Sequence, residues 1–165
     1  MEYLAKPTAA EGDMLSGYRI VAPRWAHDAL SGEGARKYGG RWNSPGRAVV
    51  YLGGSRALAA LEMLVHLTTP RSRKKLYKII KVSVPERLVA TYPLGSLPSD
   101  WRDSPVPMNT QEIGDDWLHA GGQLAIRMPS VMIPEETNLL LNPNHKDFVK
   151  IVSEESVDFS FDQRL

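Results

Sequence analysis

The chain has 165 residues, long enough for one compact domain, and its 42% hydrophobic and 24% charged content argues against global disorder. Twenty basic against nineteen acidic residues leave a formal net charge of +1, which gives no support for a nucleic-acid binder, and the one locally basic run, residues 71–75, reads as a solvated loop. With no cysteine there is no disulfide, thiol nucleophile or cysteine-ligated metal; no apolar run is membrane-length and the N-terminus lacks signal-peptide order, so the expected compartment is cytoplasmic.

In chain order, residues 1–13 read as a loose leader and residues 14–165 as a single domain. Residues 18–22 (YRIVA) are β-prone, and a glycine-rich stretch over residues 31–46 carries Arg36, Arg41, Trp42 and Asn43. Residues 48–52 (AVVYL) read as a buried strand. Gly53 and Gly54 break it, and Ser55 is placed to cap a helix over residues 57–67. The next strand, residues 76–84, puts Ile80, Val82 and Val84 on one face and Lys81 and Ser83 on the other.

Residues 90–107 read as ordered loop. A helix is predicted over residues 110–120, ended by Gly121 and Gly122. Short strands are predicted at residues 124–128, 131–133 and 138–141, with a last one at 148–153. Strands outnumber helices without regular alternation, which favours an α+β fold.

Glu62 carries the strongest chemical signal. At about 100° per residue, Leu58, Leu61 and Val65 form an apolar stripe, and Glu62 falls about 40° from Leu58 inside it. A carboxylate there is costly unless it is paired or lines a cleft; a structural ion pair is the plainer alternative. In Gly39-Gly40-Arg41-Trp42-Asn43 the glycines permit close backbone approach, and Arg41 can clamp a phosphate or carboxylate; a turn with a surface arginine is the alternative. Tyr51 can be core or a stacking platform for a planar cationic ring. Ser130, Asn138 and Asn142 can bind hydroxyls or an amide, or serve as turn and cap residues. His66, one turn past Glu62, reads as a satisfied structural histidine. The histidines are too widely spaced for a metal cluster, and no metal is expected.

These residues carry a resemblance. The run GARKYGGRWNSPGRAVVYLGGSRALAALEMLVHL and the later segment MPSVMIPEETNLLLNPNHKDF resemble the RES domain, the toxin of Xre–RES toxin–antitoxin modules. The arginine, glutamate and serine that name the family look like Arg41, Glu62 and Ser130; Tyr51 falls between the first two as the pattern expects, and Tyr18-Arg19-Ile20 resembles the opening motif. Residues 17–150 are covered. The resemblance implies a compact ADP-ribosyltransferase-like α+β fold with a central sheet and flanking helices. It also implies NAD as substrate with no separate cofactor, a helix-turn-helix Xre-type antitoxin as partner, and ADP-ribose passed to a protein target or to water. On that footing Glu62, Arg41 and Tyr51 are the expected catalytic set, and Arg19, Ser130 and Asn142 the expected substrate-binding set. A non-enzymatic nucleotide- or partner-binding module is the alternative, and an RNA-cutting toxin fits the near-neutral charge poorly. Direct nucleic-acid and membrane contacts are not expected.

Overall fold

The computed structural model describes residues 12–165; the first eleven residues of the predicted leader lie outside the described residues. Eight strands form one sheet: β1 (Met14–Val21), β2 (Val50–Gly53), β3 (Tyr77–Pro85), β4 (Val89–Thr91), β5 (Ala125–Pro129), β6 (Thr137–Leu141), β7 (Val152–Ser153) and β8 (Val157–Phe159). Their order is β4-β5-β6-β2-β1-β3-β7, with β8 also on β3. Among the described residues only β4 and β5 run parallel; the other pairs are antiparallel. The helices are α1 (Glu33–Tyr38), α2 (Arg56–Leu64), α3 (Pro70–Arg73) and α4 (Met108–Ala120). The mixed α+β class expected from the sequence is the class observed.

Strand alternation sorts the core into two faces. Val50, Leu52, Leu139, Leu141, Ile80, Val82 and Val84 pack together on one face. Val49, Leu140, Ile126 and Met128 pack on the other, with Tyr51, Trp42, Trp101 and Trp117 of α4. A third cluster joins Tyr77 and Phe161 to Ile20 and the α2 residues Ala60, Met63 and Leu64.

Two contacts seat α2 on the strand before it. Ser55 accepts the Leu58 N–H at 3.0 Å, the predicted N-cap, which satisfies one of the free donors of the first turn. Gly53 lets the helix backbone close on β2: a Cβ there would stand 2.5 Å from the Ala59 nitrogen.

Several elements differ from expectation. The helix over residues 57–67 ends at Leu64, and Val65 is exposed rather than part of a buried stripe. The helix buries Leu58 and Ala59 instead. His66 is exposed beyond the helix end, not a satisfied structural histidine. The predicted loop over residues 90–107 includes the end of β4. Residues 131–133 form no strand, because the Met132 and Ile133 amides turn onto the Ser130 hydroxyl and leave the ladder. Residues 148–153 divide into a 3-10 turn, Phe148–Lys150, and the two-residue β7.

Candidate active site

The register of β2 against β6 places Asn138 opposite Gly53, at the edge where α2 crosses the sheet. Met128 pairs with Asn138, so the chain leaving β5 brings Ser130 to the same edge. Glu62, on the last full turn of α2, meets both. Its Oε1 accepts from Ser130 Oγ at 2.6 Å and from Asn138 Nδ2 at 2.8 Å. Its Oε2 has no hydrogen-bond partner among the described residues and is not among the sealed polar atoms. Glu62 makes no ion pair among the described residues. One carboxylate oxygen is therefore held and the other is open.

Ser130 is fully buried. Its oxygen accepts the Met132 and Ile133 amides at 3.0 and 3.2 Å, and its proton goes to Glu62. The hydroxyl is spent within the chain, so Ser130 orients Glu62 rather than offering the direct substrate contact that the sequence suggested.

Arg41 stands on the loop between α1 and β2. Its Nη1 donates to the carbonyls of Trp101 and Asp103 at 2.7 and 3.0 Å. Burial lowers its pKa, and the nearby Glu62 carboxylate is the largest influence restoring it. The guanidinium thus lies within electrostatic reach of Glu62 without a direct ion pair.

The loop itself is cast from inside. Asn43, fully buried, donates to the carbonyls of Ala35, Ser44 and Arg47 and accepts the Tyr51 hydroxyl at 2.7 Å. The Tyr51 oxygen in turn accepts the Trp42 N–H at 3.1 Å. Burial raises the Tyr51 pKa, opposed by the hydrogen bond from Trp42. The phenol is a neutral brace for the Arg41 loop, and Tyr51 as a residue is partly buried against the Trp42 cluster.

Helix α4 closes the loop from outside. Gln111 Nε2 donates to the Gly40 carbonyl at 3.1 Å, and Asp115 receives both the amide and the hydroxyl of Ser44. Gly114 lets Trp42 in: a Cβ there would collide with the Trp42 carbonyl. Trp42 stacks on Trp101 with centroids 6.1 Å apart.

Arg19 approaches from β1 and donates from Nη1 to the Tyr51 carbonyl at 3.1 Å, while its Nε is buried without a partner. Burial lowers its pKa. Asn142 is not brought to the site. It follows Leu141, which pairs with Val50, at the other end of β6, about 13 Å along the strand from Asn138 at 3.3 Å per residue. There its Oδ1 accepts the Asn144 amide at 3.0 Å, so the structure gives no support to Asn142 as part of the Glu62 site. One cavity lies beside Asn142 and another beside His27, and Glu62 lines neither. No group of three or more His, Asp or Glu that could hold a metal occurs among the described residues.

Sequence reasoning weighed Asn138 without assigning it to Glu62. Its only local signal is a polar residue opening an apolar strand, TNLLL. It also missed the Trp101 and Asp103 carbonyls, since backbone acceptors have no sequence signature.

A half-buried carboxylate, fixed at one oxygen and open at the other, stands within electrostatic reach of a carbonyl-anchored guanidinium on a mixed α+β sheet. The RES domain family model matches residues 17–162. A Yersinia enterocolitica protein named Toxin Res is 38% identical over 149 residues, covering 90% of this chain and 97% of that protein. A Sphingobium protein named Prs ADP-ribosylating toxin is 38% identical over 155 residues, covering 91% of this chain and 96% of that protein. The toxin of the M. tuberculosis MbcT–MbcA toxin–antitoxin complex has a similar fold, with a TM-score of 0.72 at 22% identity, covering 91% of this chain and 86% of that one. The chain belongs to the RES-domain family of toxins.

Proposed function

We propose that this toxin cleaves the nicotinamide–ribose bond of NAD and passes ADP-ribose to a protein side chain or to water. The observation that carries the reading is the Glu62 carboxylate, with Oε1 held by Ser130 and Asn138 and Oε2 open. When the C1′–N bond breaks, its electron pair neutralises the pyridinium ring and the ribose becomes oxocarbenium-like, as in glycoside hydrolysis. The departing nicotinamide is neutral, so no strong acid is required. The demand is for negative charge at the sugar and for orientation. Oε2 can accept a ribose hydroxyl beside the developing cation. The acceptor nucleophile then bonds to C1′, and its proton can pass to the same carboxylate.

Arg41 and Arg19 supply positive charge for the pyrophosphate. The Tyr51 ring, braced by its hydroxyl, offers a rigid surface for stacking nicotinamide. The relative named as ADP-ribosylating supports this chemistry, and the neighbour solved as a toxin–antitoxin complex supports an antitoxin partner. For this chain we infer a helix-turn-helix antitoxin of the Xre type.

The test is NAD labelled separately in its nicotinamide and adenylate halves, incubated with lysate and either wild type or Glu62→Gln. Wild type is expected to free labelled nicotinamide, with the variant at least about 100-fold slower. Adenylate label on a protein band marks transfer, and free ADP-ribose marks hydrolysis. Nicotinamide release at the wild-type rate by Glu62→Gln, or none from wild type, overturns the reading.

A further inference from the structure

The cavity at the far end of β6 has features of a second binding site. Its volume is about 390 Å³, and its lining includes Arg47, Leu118, Asn142, Asn144, His145 and Lys146. That volume lies in the range of small-ligand sites. Two of its polar side chains are nine-tenths buried, Asn142 at 7% and His145 at 8% exposure. Asn142 Oδ1 accepts the Asn144 amide, so its Nδ2 donors are left over. His145 Nδ1 accepts the Asp147 amide at 3.0 Å, which in the neutral ring places the proton on Nε2. Neither leftover donor has a partner among the described residues, and neither is among the sealed atoms, so both remain open to an incoming acceptor.

Charge at the cavity points the same way. Arg47 and Lys146 are exposed, and neither makes an ion pair among the described residues. No carboxylate is among the lining residues. The adjacent acid, Asp147, does not line the cavity: its Oδ1 is held by Lys150 at 2.8 Å and its Oδ2 lies 3.9 Å from His145 Nδ1. Donors held in place on buried side chains and open to the cavity suit a ligand bearing acceptor oxygens. Another part of the lining, at Leu118 and Gly121, is the C-terminal end of α4, whose last carbonyls accept hydrogen bonds and disfavour an anion. A ligand suited to both parts carries a doubly charged oxyanion at one end and hydroxyl donors at the other.

We propose that this cavity binds a small phosphorylated sugar, with its phosphate on Arg47, Asn142, His145 and Lys146 and its hydroxyls toward the end of α4. The site is distinct from Glu62 and does not depend on the NAD reading.

The test is a titration of the full chain with ribose 5-phosphate, followed by amide and imidazole NMR shifts at constant ionic strength, with inorganic phosphate and ribose as controls. Saturable shifts are expected at Asn142, Asn144, His145 and Lys146, with the Glu62 and Ser130 amides unmoved. Ribose 5-phosphate is expected to bind more tightly than phosphate, and ribose alone to leave the spectrum unchanged. Arg47→Ala combined with Lys146→Ala, both exposed, is expected to weaken binding about tenfold or more and to leave nicotinamide release unchanged. Absence of shifts, shifts centred on Arg41, equal binding of phosphate and ribose 5-phosphate, or unchanged affinity in the double variant overturns the proposal.

Discussion

Ser130 Oγ donates to Glu62 Oε1 at 2.6 Å while the backbone amides of Met132 and Ile133 donate to Ser130 Oγ. The two amides polarise the hydroxyl they bind, and chains of this kind strengthen each link. The serine therefore acts through the glutamate. Ser130→Ala is expected to lower kcat about tenfold with little change in KM, and to cost about 1–3 kcal/mol of stability by stranding two amides. Steady-state kinetics with urea unfolding check both.

Asn138 supplies the other donor to Oε1, at 2.8 Å. Asn138→Ala is expected to act as Ser130→Ala does, on kcat. Because both residues hold one oxygen, the double variant should cost less than the sum of the singles. A double-mutant cycle on kcat measures the coupling, and strict additivity would show that the two donors do not cooperate.

The Tyr51 hydroxyl and ring are expected to separate by mutation. Tyr51→Phe removes the bridge between Trp42 and Asn43 and should lower stability by about 1–3 kcal/mol while keeping the stacking surface. Tyr51→Ala should in addition raise KM for NAD.

The same tyrosine predicts a pH dependence. Burial raises the folded-state pKa above the ordinary value of 10.0. Above that pH the unfolded chain loses the proton that the folded chain retains, so stability is fully present below pH about 10 and falls as pH rises beyond it. Thermal unfolding of wild type should show this decline as pH rises above about 10, and Tyr51→Phe should flatten it.

Gly114→Ala places a methyl group on the Trp42 carbonyl. Overpacking of this kind costs about 1–3 kcal/mol or more. Since Trp42 adjoins Arg41, the variant should also lose activity beyond its loss of folded protein, measurable as kcat/KM per active site.

The local features were legible along the chain. Ser55 as a cap, Gly121 in the left-handed conformation ending α4 (φ 61°) and the alternation of Ile80, Val82 and Val84 each follow from short-range geometry. So did the anomaly of Glu62 on a helix that packs on the sheet, although Val65, taken as part of its stripe, proved exposed. A periodicity reports which way a side chain points and not how soon a helix stops, and α2 stops at Leu64.

By itself, then, the sequence determined the α+β class, most of the elements and the membership that its motifs suggested. Tertiary structure decided what surrounds Glu62. Ser130 and Asn138 lie 68 and 76 residues away along the chain, and only the register of β2, β6 and β5 brings them to one carboxylate oxygen. The same register carries Asn142 to the opposite end of its strand. Hydrogen-bond partners across such separations depend on strand pairing, which alternating apolar residues permit in several registers and only the packed core selects.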